Sequence, residues 1–451
     1  MLLSWLPLDQ EKQKIIRWRL NGGLGSLIGP PGAGKTTTGA AEAITAALEE
    51  NERVLLVAYT NAAANEYCLE SCKLVGPEVA KELIIRTGQL EGYQQTIECP
   101  IKFTLDPYKI RKTPIVVTTT LSATDKYLPR DLEFDRVIID ETGIERLEHV
   151  LIPLQYCVDS GVRRKILSEW NSPYSTDELS PEIRDFIDFL DNQQVTATFI
   201  GDPKQSKPIS PESRDYSAIA YTAKRTTTET LKTTYRLPSN LDIIVDQFAD
   251  YGGLRAHPSI RDRRLRLCKN PEFPYSKLID PEPIVTFIDV KGQEIPEGIS
   301  SYSNPTEAKA VVRLAKQIFQ CTDGKASIMA ISRYKEQRRL ISKFAGNKGI
   351  PLDARTTTGA LGAQADTVIV SITRNNALYE VGAFGVLQDL NVAISRAREK
   401  LFIIGNWDML EQGWVKLPTA VSRGWRGVSW KLARLIDRYG SRIIAPTPLI
   451  Q

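Results

Sequence analysis

The most informative chemical pattern in the chain is a glycine-rich loop. Residues 29–36 read GPPGAGKT and fit the pattern G-x-x-x-x-G-K-T. Glycines allow backbone N–H groups to curl around phosphates, Lys35 can reach the β- and γ-phosphates, and the Thr36 hydroxyl can bind Mg²⁺. The helical segment that follows points its positive end at the anion. The pattern predicts a nucleoside triphosphate site, lined by Gly29, Pro30, Gly32, Ala33, Gly34, Lys35, Thr36 and Thr37.

Hydrolysis of a triphosphate requires an acidic site as well. The run RVIIDETG at residues 136–143 is a buried strand that ends in a pair of carboxylates. We expect Asp140 in the Mg²⁺ shell and Glu141 to polarise the attacking water. A further strand, TFIGDPKQS at 198–206, ends in a turn that carries Gln205. Its amide is suited to sensing the γ-phosphate or to orienting water.

Two arginines follow much later in the chain. The run LNVAISRAREKLFIIGN at 390–406 is expected to place Arg396 and Arg398 on a short helix just before a strand. Apolar residues surround them, which is unusual for solvated charges. An arginine that reaches the nucleotide from a second domain would neutralise charge in the transition state. The alternative is that these arginines only pair with local carboxylates such as Glu399.

The elements that position these residues alternate between strands and helices. Continuous runs rich in Val and Ile indicate strands that are buried on both faces, as in parallel sheets. The alternation predicts an α/β fold, and two sets of runs predict two domains, residues 1–225 and 226–451. The runs are 26–29, 53–60, 114–120, 136–140 and 195–201 in the first half, and 283–290, 326–332, 367–373 and 400–406 in the second.

Two stretches interrupt this alternation. Residues 146–194 are longer than an ordinary connection and indicate a subdomain inserted into the first domain. It is either a covering flap or an element that binds a protein partner or separates strands. The tail at 407–442 carries four tryptophans among many basic residues. It is either a helix packed on the second domain or a surface for a nucleic-acid strand.

Composition limits the classes of function. The net charge is +4 with a pI near 8.6, which permits a polyanionic partner without requiring one. Six scattered cysteines favour reduced thiols and an intracellular, non-secreted protein, and the pair Cys68 and Cys72 has no second pair that would complete a metal site. His149 and His257 are expected to be surface or packing residues. We expect no membrane partner, and we expect the apolar start MLLSWLPLDQ to be folded chain rather than a signal peptide.

The order of the motifs resembles that of superfamily 1 helicases. Within them it is similar to the branch of the nonsense-mediated-decay RNA helicase and its DNA-helicase relatives, from about residue 8 to residue 406. The motifs that carry the resemblance are LDQEKQKII (8–16), the loop at 29–36, VLLVAYTNAAANEY (54–67), VVTTTLSAT (116–124), DETG (140–143), GDPKQ (201–205), TTYRLP (233–238), ISRYKEQRRLI (331–341) and LNVAISRAR (390–398).

The resemblance implies two tandem RecA-like domains with ATP and Mg²⁺ in the cleft between them and a single strand bound across both. It implies that Gln10 reads adenine, that Tyr235 stacks on the base and that Arg236 touches the γ-phosphate. The nucleotide set would also include Gln364 and Arg396, with Lys35, Asp140, Glu141 and Gln205 taking part in catalysis. The residues implied on the strand are Thr60, Asn61, Thr119, Ser122 and Tyr334, for which ordinary strand-end capping is the alternative.

Some positions depart from the family pattern. Gly143 and Ile144 follow the carboxylate pair, Arg333 replaces a proline, and Gln364 stands where an acidic residue is usual. These positions bear on nucleotide selectivity and on coupling to the strand. The expected activity is movement along single-stranded DNA or RNA with unwinding of tailed duplexes. The alternatives are a translocase that strips proteins without unwinding, a nucleotide-switched nucleic-acid clamp and, least favoured, a small-molecule kinase.

Overall fold

The computed structural model describes residues 2–91, 99–157, 195–205, 217–271, 275–298, 300–416 and 424–450. The chain divides into two compact units. Unit 1 comprises Met1–Gly29, Gly34–Pro203 and Lys207–Leu231. Unit 2 comprises Pro30–Ala33, Lys204–Ser206 and Lys232–Gln451.

Unit 1 is built on a seven-stranded sheet in which every pairing is parallel. The strand order is β3-β4-β2-β5-β6-β1-β7. The last strand, β7, lies beyond the expected domain boundary at residues 225–226 and pairs with β1. The strands are β1 (Leu24–Ile28), β2 (Val54–Ala58), β3 (Ile84–Arg86), β4 (Ile115–Thr119), β5 (Arg136–Ile139), β6 (Thr196–Gly201) and β7 (Thr227–Thr230).

The helices of unit 1 follow the strands in alternation. The helix α2 begins at Lys35, directly after Gly34 in the left-handed conformation (φ 83°), and α3 is capped by the Thr60 hydroxyl, which accepts from the backbone N–H of Ala63 at 3.1 Å. The helices are α1 (Gln10–Leu20), α2 (Lys35–Glu49), α3 (Asn61–Val75), α4 (Pro77–Leu83), α5 (Pro107–Lys112), α6 (Leu147–Leu154) and α7 (Ala218–Thr222).

Unit 2 contains a six-stranded sheet, also paired in parallel throughout, with the order β14-β13-β15-β16-β10-β19. Three two-stranded ladders accompany it. The strands are β8 (Thr233–Thr234), β9 (Arg255–Ala256), β10 (Val285–Asp289), β11 (Ile295–Glu297), β12 (Ser301–Ser303), β13 (Ile328–Ser332), β14 (Asp353–Thr356), β15 (Ala365–Ser371), β16 (Ala397–Gly405), β17 (Trp414–Lys416), β18 (Gly424–Arg426) and β19 (Ser441–Ile444).

The longest helix of unit 2, α9, starts with Pro305 after the cap Asn304, whose side-chain oxygen accepts from the N–H of Glu307 at 3.1 Å. Proline and a capping Asn are the expected start signals of a helix. The helices are α8 (Leu241–Ala249), α9 (Pro305–Cys321), α10 (Lys335–Gly346), α11 (Leu387–Ile394), α12 (Trp407–Gln412), α13 (Ser429–Tyr439) and α14 (Thr447–Ile450). Short 3₁₀ helices span Leu2–Ser4, Thr120–Ser122, Gln155–Cys157, Pro258–Ile260, Tyr275–Lys277, Thr358–Ala360 and Gly382–Gly385.

Apolar side chains on both faces of the sheets form the cores. In β10, Val285 and Phe287 pack into one cluster, whereas Ile288 packs into the cluster on the opposite face. This alternation is the period-2 geometry of a strand that helices cover on both sides. Near the N-terminus, Leu3 and Leu6 pack with Ile16 and Ala41.

The nine strands predicted from Val/Ile runs are confirmed, and the fold class is confirmed as α/β with parallel sheets that fit tandem RecA-like domains. The expected inserted subdomain falls mostly on residues 158–194, which lie outside the described residues. The part that is described, α6, packs through Leu147, Val150 and Leu151 into the core of unit 1. No helix among the described residues is long and apolar enough to span a bilayer.

Candidate functional site

The glycine-rich loop connects β1 to α2, and its lysine folds back across it. Lys35 Nζ donates to the carbonyl of Gly29 at 2.6 Å. A Cβ on residue 29 would stand 2.1 Å from Lys35 Cγ, so only glycine leaves room for this side chain. Residues Lys35, Thr36 and Thr37 form the first turn of α2, and the N-terminal turn of a helix favours an anion. Thr37 is tied to the next helix, since its hydroxyl donates to Glu70 Oε2 at 2.9 Å.

The helix α1 lies against the same loop. Gln10, the residue implied in adenine recognition, is its exposed first residue, and Asp9 caps the helix by accepting from the N–H of Lys12. Lys12 is buried, and its Cε lies 2.8 Å from the place of a Cβ on Gly34. Sequence reasoning missed Lys12. The sequence shows only a lysine two residues after Gln10. It does not show that this side chain packs against the phosphate loop.

The carboxylate pair stands at the end of β5. Asp140 is buried, and it accepts from the Tyr67 hydroxyl at 2.8 Å and from the N–H of Glu141 at 2.7 Å. Burial raises the pKa of Asp140, and the nearby positive charge of Lys35 opposes the shift. The backbone of Glu141 has φ 60°, a left-handed conformation that is uncommon for a non-glycine residue and that recurs at functional sites.

The electrostatics of Glu141 suit an acid–base group. Burial and then the charge of Asp140 raise its pKa to about 7, while Lys35 lowers it. A third carboxyl, that of Glu145, is fully buried close by, and burial raises its pKa to about 8. Tyr67 and Glu145 were not among the predicted residues. Tyr67 is distant in sequence, and a glutamate four residues after Glu141 has no distinctive pattern of its own.

The tip of the loop contacts the TTYRLP segment in unit 2. The N–H of Tyr235 donates to the carbonyl of Gly32 at 2.8 Å, and the Thr234 hydroxyl donates to the carbonyl of Pro31 at 2.9 Å. A Cβ on residue 32 would lie 2.4 Å from Arg236 Cβ. Glycine is therefore required by this close approach as well as by its φ of 69°.

Unit 2 brings four of the predicted residues together. Arg236 Nε donates to the amide oxygen of Gln364 at 3.0 Å, and its Nη1 donates to the carbonyl of Ser395 at 3.2 Å. The next residue, Arg396, donates through Nη2 to the amide oxygen of Gln205 at 2.9 Å. Burial and then the charges of Arg396 and Arg398 lower the pKa of Arg236. Guanidiniums placed this close repel one another, which favours binding of an anion between them.

The prediction that Arg396 and Arg398 share a short helix is wrong. The helix α11 ends at Ile394, and β16 begins at Ala397. Arg396 lies in the junction, with Nε bonded to the carbonyl of Val392 at 3.0 Å, and Arg398 is in the strand. In a strand, side chains alternate between the two faces of the sheet. The directions of the Arg396 and Arg398 side chains therefore do not follow helical spacing. Arg398 pairs with Asp366 at 3.7 Å rather than with Glu399.

Tyr235 lies beside the second of the two histidines. Its ring stacks on that of His257, with centroids 4.6 Å apart and an angle of 23° between the planes. Both side chains are half-buried. The ring that the resemblance implies on the base is therefore already supported on one side by an imidazole.

The residues implied on a strand occupy the ends of neighbouring strands in unit 1. Thr60 uses its hydroxyl as the cap of α3, as the alternative interpretation expected. Asn61 is held on both sides, because its Oδ1 accepts from Arg86 Nη2 at 2.7 Å and its Nδ2 donates to the carbonyl of Glu91 at 3.0 Å. Thr119 and Ser122 are buried and bond to each other through their hydroxyls at 2.9 Å.

Three exposed apolar side chains mark the same edge of this sheet. Tyr59 follows β2, Leu121 follows β4, and Leu90 belongs to the segment after β3. Because these strands are neighbours and parallel, the residues after them lie at one edge. These three apolar residues were not predicted as strand contacts from the sequence, although apolar residues directly after predicted strands are a signal that could have indicated them.

Tyr334 lies in unit 2, and its ring is largely buried. It makes an edge contact with Tyr302, with centroids 5.2 Å apart, and its hydroxyl is 3.5 Å from Arg374 Nη1. Arg374 in turn pairs with Glu294 at 2.9 Å. Arg333, which stands in place of the family proline, pairs with Asp389 at 3.1 Å.

The comparisons with known proteins agree with this arrangement of residues. Residues 216–408 match a family described as an AAA domain. The chain is 24% identical over 421 residues to a regulator of nonsense transcripts 1 homolog from Neurospora crassa, covering 88% of this chain and 37% of that protein. It is 24% identical over 443 residues to the mouse DNA replication ATP-dependent helicase/nuclease DNA2, covering 89% of this chain and 37% of that protein.

A third relative is an uncharacterized ATP-dependent helicase of Methanocaldococcus jannaschii, 33% identical over 132 residues, 28% of this chain and 19% of that protein. The chain thus spans little more than a third of the length of the two eukaryotic relatives. The matched domain and these relatives, taken with the loop, the carboxylate pair and the two arginines, make the chain similar to superfamily 1 helicases of the branch that includes the nonsense-transcript regulators.

Proposed function

We propose that this chain is an ATP-dependent helicase or translocase that moves along single-stranded nucleic acid and unwinds tailed duplexes inside the cell. The observation that supports the proposal is that the chain contains both a nucleotide-type acidic site and a separate pair of ordered arginines. Unit 1 holds Lys35 at the end of the phosphate loop and a buried carboxylate pair, and unit 2 holds two glutamine-bonded arginines. Unit 1 and unit 2 are taken as the two RecA-like domains.

The nucleotide is assigned to the loop between β1 and α2. Lys35 would hold the β- and γ-phosphates, Thr36 and Asp140 would hold Mg²⁺, and Gln10 and Tyr235 would contact the base. The fit of the cation is supported by the buried carboxyl of Asp140, which adjoins a second carboxyl and the ammonium of Lys35. Mg²⁺ usually takes one or two protein carboxylates together with substrate phosphates, and it would supply charge neutralisation there.

Glu141 is assigned the role of polarising the attacking water. A general base works best when its pKa lies near the working pH, and burial beside Asp140 brings the pKa of Glu141 to about 7. Its left-handed backbone turns the carboxylate away from the direction that continuation of β5 would give. The Asp140 carboxylate is fixed by Tyr67 and by the N–H of residue 141, so the two acids take separate roles.

Arg236, Arg396 and Gln205 are assigned to the γ-phosphate. In the bonds described above, each guanidinium donates to an amide oxygen, which holds the guanidinium in place and brings no negative charge to it. Preorganised positive groups stabilise charge that develops during phosphoryl transfer. Gln364 positions Arg236 in the same way that Gln205 positions Arg396.

The strand is assigned to the edge of unit 1 that carries Asn61 and to the region of Tyr334 in unit 2. A binding and unwinding panel tests the proposal, with fluorescent single strands and 5′- or 3′-tailed duplexes of DNA and of RNA. The expected result is sequence-independent binding that weakens with salt, with a log–log slope of about −0.7 for each neutralised phosphate, and ATP-dependent unwinding of one duplex class. Absence of binding to every single strand would overturn it.

A further inference from the structure

The helix α13 presents two faces of opposite character. Leu432, Ala433, Leu435 and Ile436 are buried in the core of unit 2. The opposite face is exposed and basic, and its only acidic residue is Asp437. The helix therefore packs as a closing element, as one interpretation of the tail expected, and still leaves one face to the solvent.

The exposed face carries a stripe at four-residue spacing. Trp430, Arg434 and Arg438 follow one another along α13, and Arg426, four residues earlier, ends the strand β18. Residues four apart on a helix are neighbours on one face. We call Arg426, Trp430, Arg434 and Arg438 the α13 stripe.

The tryptophan orders the arginines next to it. The guanidinium carbons of Arg426 and Arg434 lie 5.0 Å and 4.9 Å from the centroid of the Trp430 ring. Contact of a guanidinium with an aromatic ring is attractive and restricts its rotamers. Two positive groups are thus held in place beside one half-exposed ring.

The arginines of the α13 stripe form no ion pairs with carboxylates among the described residues. Among the described residues, no ion pair involves Arg426, Arg434 or Arg438, and Arg426 donates instead to the backbone carbonyl of Glu411 at 3.4 Å. This contrasts with Arg374 and Arg442 in the same unit, which pair with Glu294 and Asp289. Ordered, unneutralised arginines around an aromatic ring match a phosphate backbone.

We propose that the α13 stripe is a second nucleic-acid contact, which binds backbone phosphates of a single strand through its three arginines, two of which the Trp430 ring holds in place. The inference rests on the proposed function and adds a site that none of the helicase motifs includes. Its occupant is single-stranded DNA or RNA, and an acidic peptide is the competing occupant.

The test compares two double variants of the full chain in strand binding across a range of salt concentrations. Arg434→Ala/Arg438→Ala removes two positive charges from the stripe. Lys309→Ala/Lys316→Ala removes two exposed charges from α9 and serves as the control. The stripe variant is expected to lower the log–log salt slope by about 1.4, two phosphates at about 0.7 each, while the control leaves the slope unchanged.

A second pair of variants separates stacking from folding. Trp430→Ala is expected to weaken strand binding, and Trp430→Phe is expected to restore most of the affinity because it keeps a ring. Melting temperatures of all variants identify any that fail to fold, and in that case the single change Arg434→Gln takes the place of the double variant. An unchanged slope in a folded stripe variant, or a loss equal to that of the α9 control, would overturn the inference.

Measurements on the wild-type protein distinguish failure of the α13 stripe from failure of the proposed helicase function. The wild type could bind the strand and show strand-stimulated ATP turnover while the stripe variants behave like it. That result would contradict the role of the α13 stripe and leave the proposed function intact. No wild-type binding would remove both. Competition by poly-glutamate that equals competition by an oligonucleotide of the same charge would assign the stripe to an acidic peptide instead.

Discussion

Arg396 and Gln205 are separated by 191 residues in sequence and joined by one hydrogen bond, in which the Nη2 of the arginine donates to the amide oxygen of the glutamine at 2.9 Å. Each was selected from the sequence on separate grounds, Gln205 from a strand-end turn and Arg396 from its position before a strand. Their contact joins two candidate γ-phosphate residues into one unit. A glutamine here fixes the arginine without neutralising it, which a carboxylate would do.

The first prediction concerns that pair. Arg396→Ala is expected to lower strand-stimulated ATP turnover by about 10³ or more, because such arginines act on the transition state. Affinity for Mg-ATP is expected to change far less, since the loop still holds the phosphates. Turnover, nucleotide affinity and melting temperature are measured together.

The matched control for Arg396 is Arg398, two residues later and paired with Asp366. Arg398→Ala is expected to keep turnover close to that of the wild type. Gln205→Ala is expected to lower turnover less than Arg396→Ala, and the double variant is expected to be no worse than Arg396→Ala alone. Equal losses in the Arg396 and Arg398 variants would contradict a specific role for Arg396.

The second prediction concerns Lys35. Lys35→Ala is expected to abolish ATP turnover, because its ammonium is the cation that folds across the phosphate loop. The fold is expected to persist, since the side chain of Lys35 is only half-buried. Lys14→Ala, an exposed lysine of α1, serves as the control. Near-normal hydrolysis by a folded Lys35→Ala protein would sink the assignment of the nucleotide site.

The third prediction separates two adjacent residues. Asn61→Ala is expected to weaken single-strand binding about fivefold, the value of one hydrogen bond, with basal ATP turnover unchanged. Thr60→Ala is expected to lower the free energy of unfolding by about 1 kcal/mol, because its hydroxyl caps α3. Fluorescence anisotropy and urea denaturation measure the two effects. An exposed asparagine at the end of α10, Asn347, supplies the control variant. Equal affinity of the Asn61→Ala and Asn347→Ala proteins would contradict the strand assignment.

The fourth prediction follows from Glu307, a fully buried carboxyl in unit 2. Burial raises its pKa to about 8, against hydrogen bonds from Ser371 and from the N–H of Thr373 that lower it. Since the folded state then holds a proton that the unfolded state releases, this group makes stability fall as pH rises from about 4.5 to 8. The slope from one such group approaches about 1.4 kcal/mol per pH unit.

Glu307→Gln is therefore expected to flatten the pH dependence of the unfolding free energy between pH 5 and pH 8. Glu411→Gln changes an exposed glutamate of α12 and serves as the control, which is expected to follow the wild type. Denaturation curves at several pH values measure the difference. A Glu307→Gln protein whose pH profile runs parallel to the wild type would contradict a protonated Glu307.

The buried strands were predictable because Val and Ile runs report burial directly. The strands that were missed are short and lie at or near sheet edges, where polar residues are tolerated. Examples are β7, with the sequence TTET, and β14, with the sequence DART. Their assignment depends on the neighbouring strand, which local sequence does not show.

The chemistry of the site was predictable where spacing along the chain is fixed, as in the phosphate loop and the carboxylate pair. Lys12, Tyr67 and Glu145 were not predictable, because their roles arise from folding of distant elements against the loop and against β5. The error over Arg396 has a similar cause. Arg396 lies two residues after the end of α11 and just before β16, so helical periodicity no longer sets the direction of its side chain.

If Arg236 acts on the nucleotide held by Lys35 and Asp140, a bound single strand is expected to stimulate hydrolysis through Arg236. The most direct measurement is the steady-state rate of ATP turnover with and without a saturating single-stranded oligonucleotide, on the wild type and on Arg236→Ala. We expect the strand to raise the wild-type rate, and we expect Arg236→Ala to lose this stimulation while it still binds Mg-ATP and the strand. Identical rates with and without DNA or RNA in a folded wild-type protein that binds the strand would contradict it.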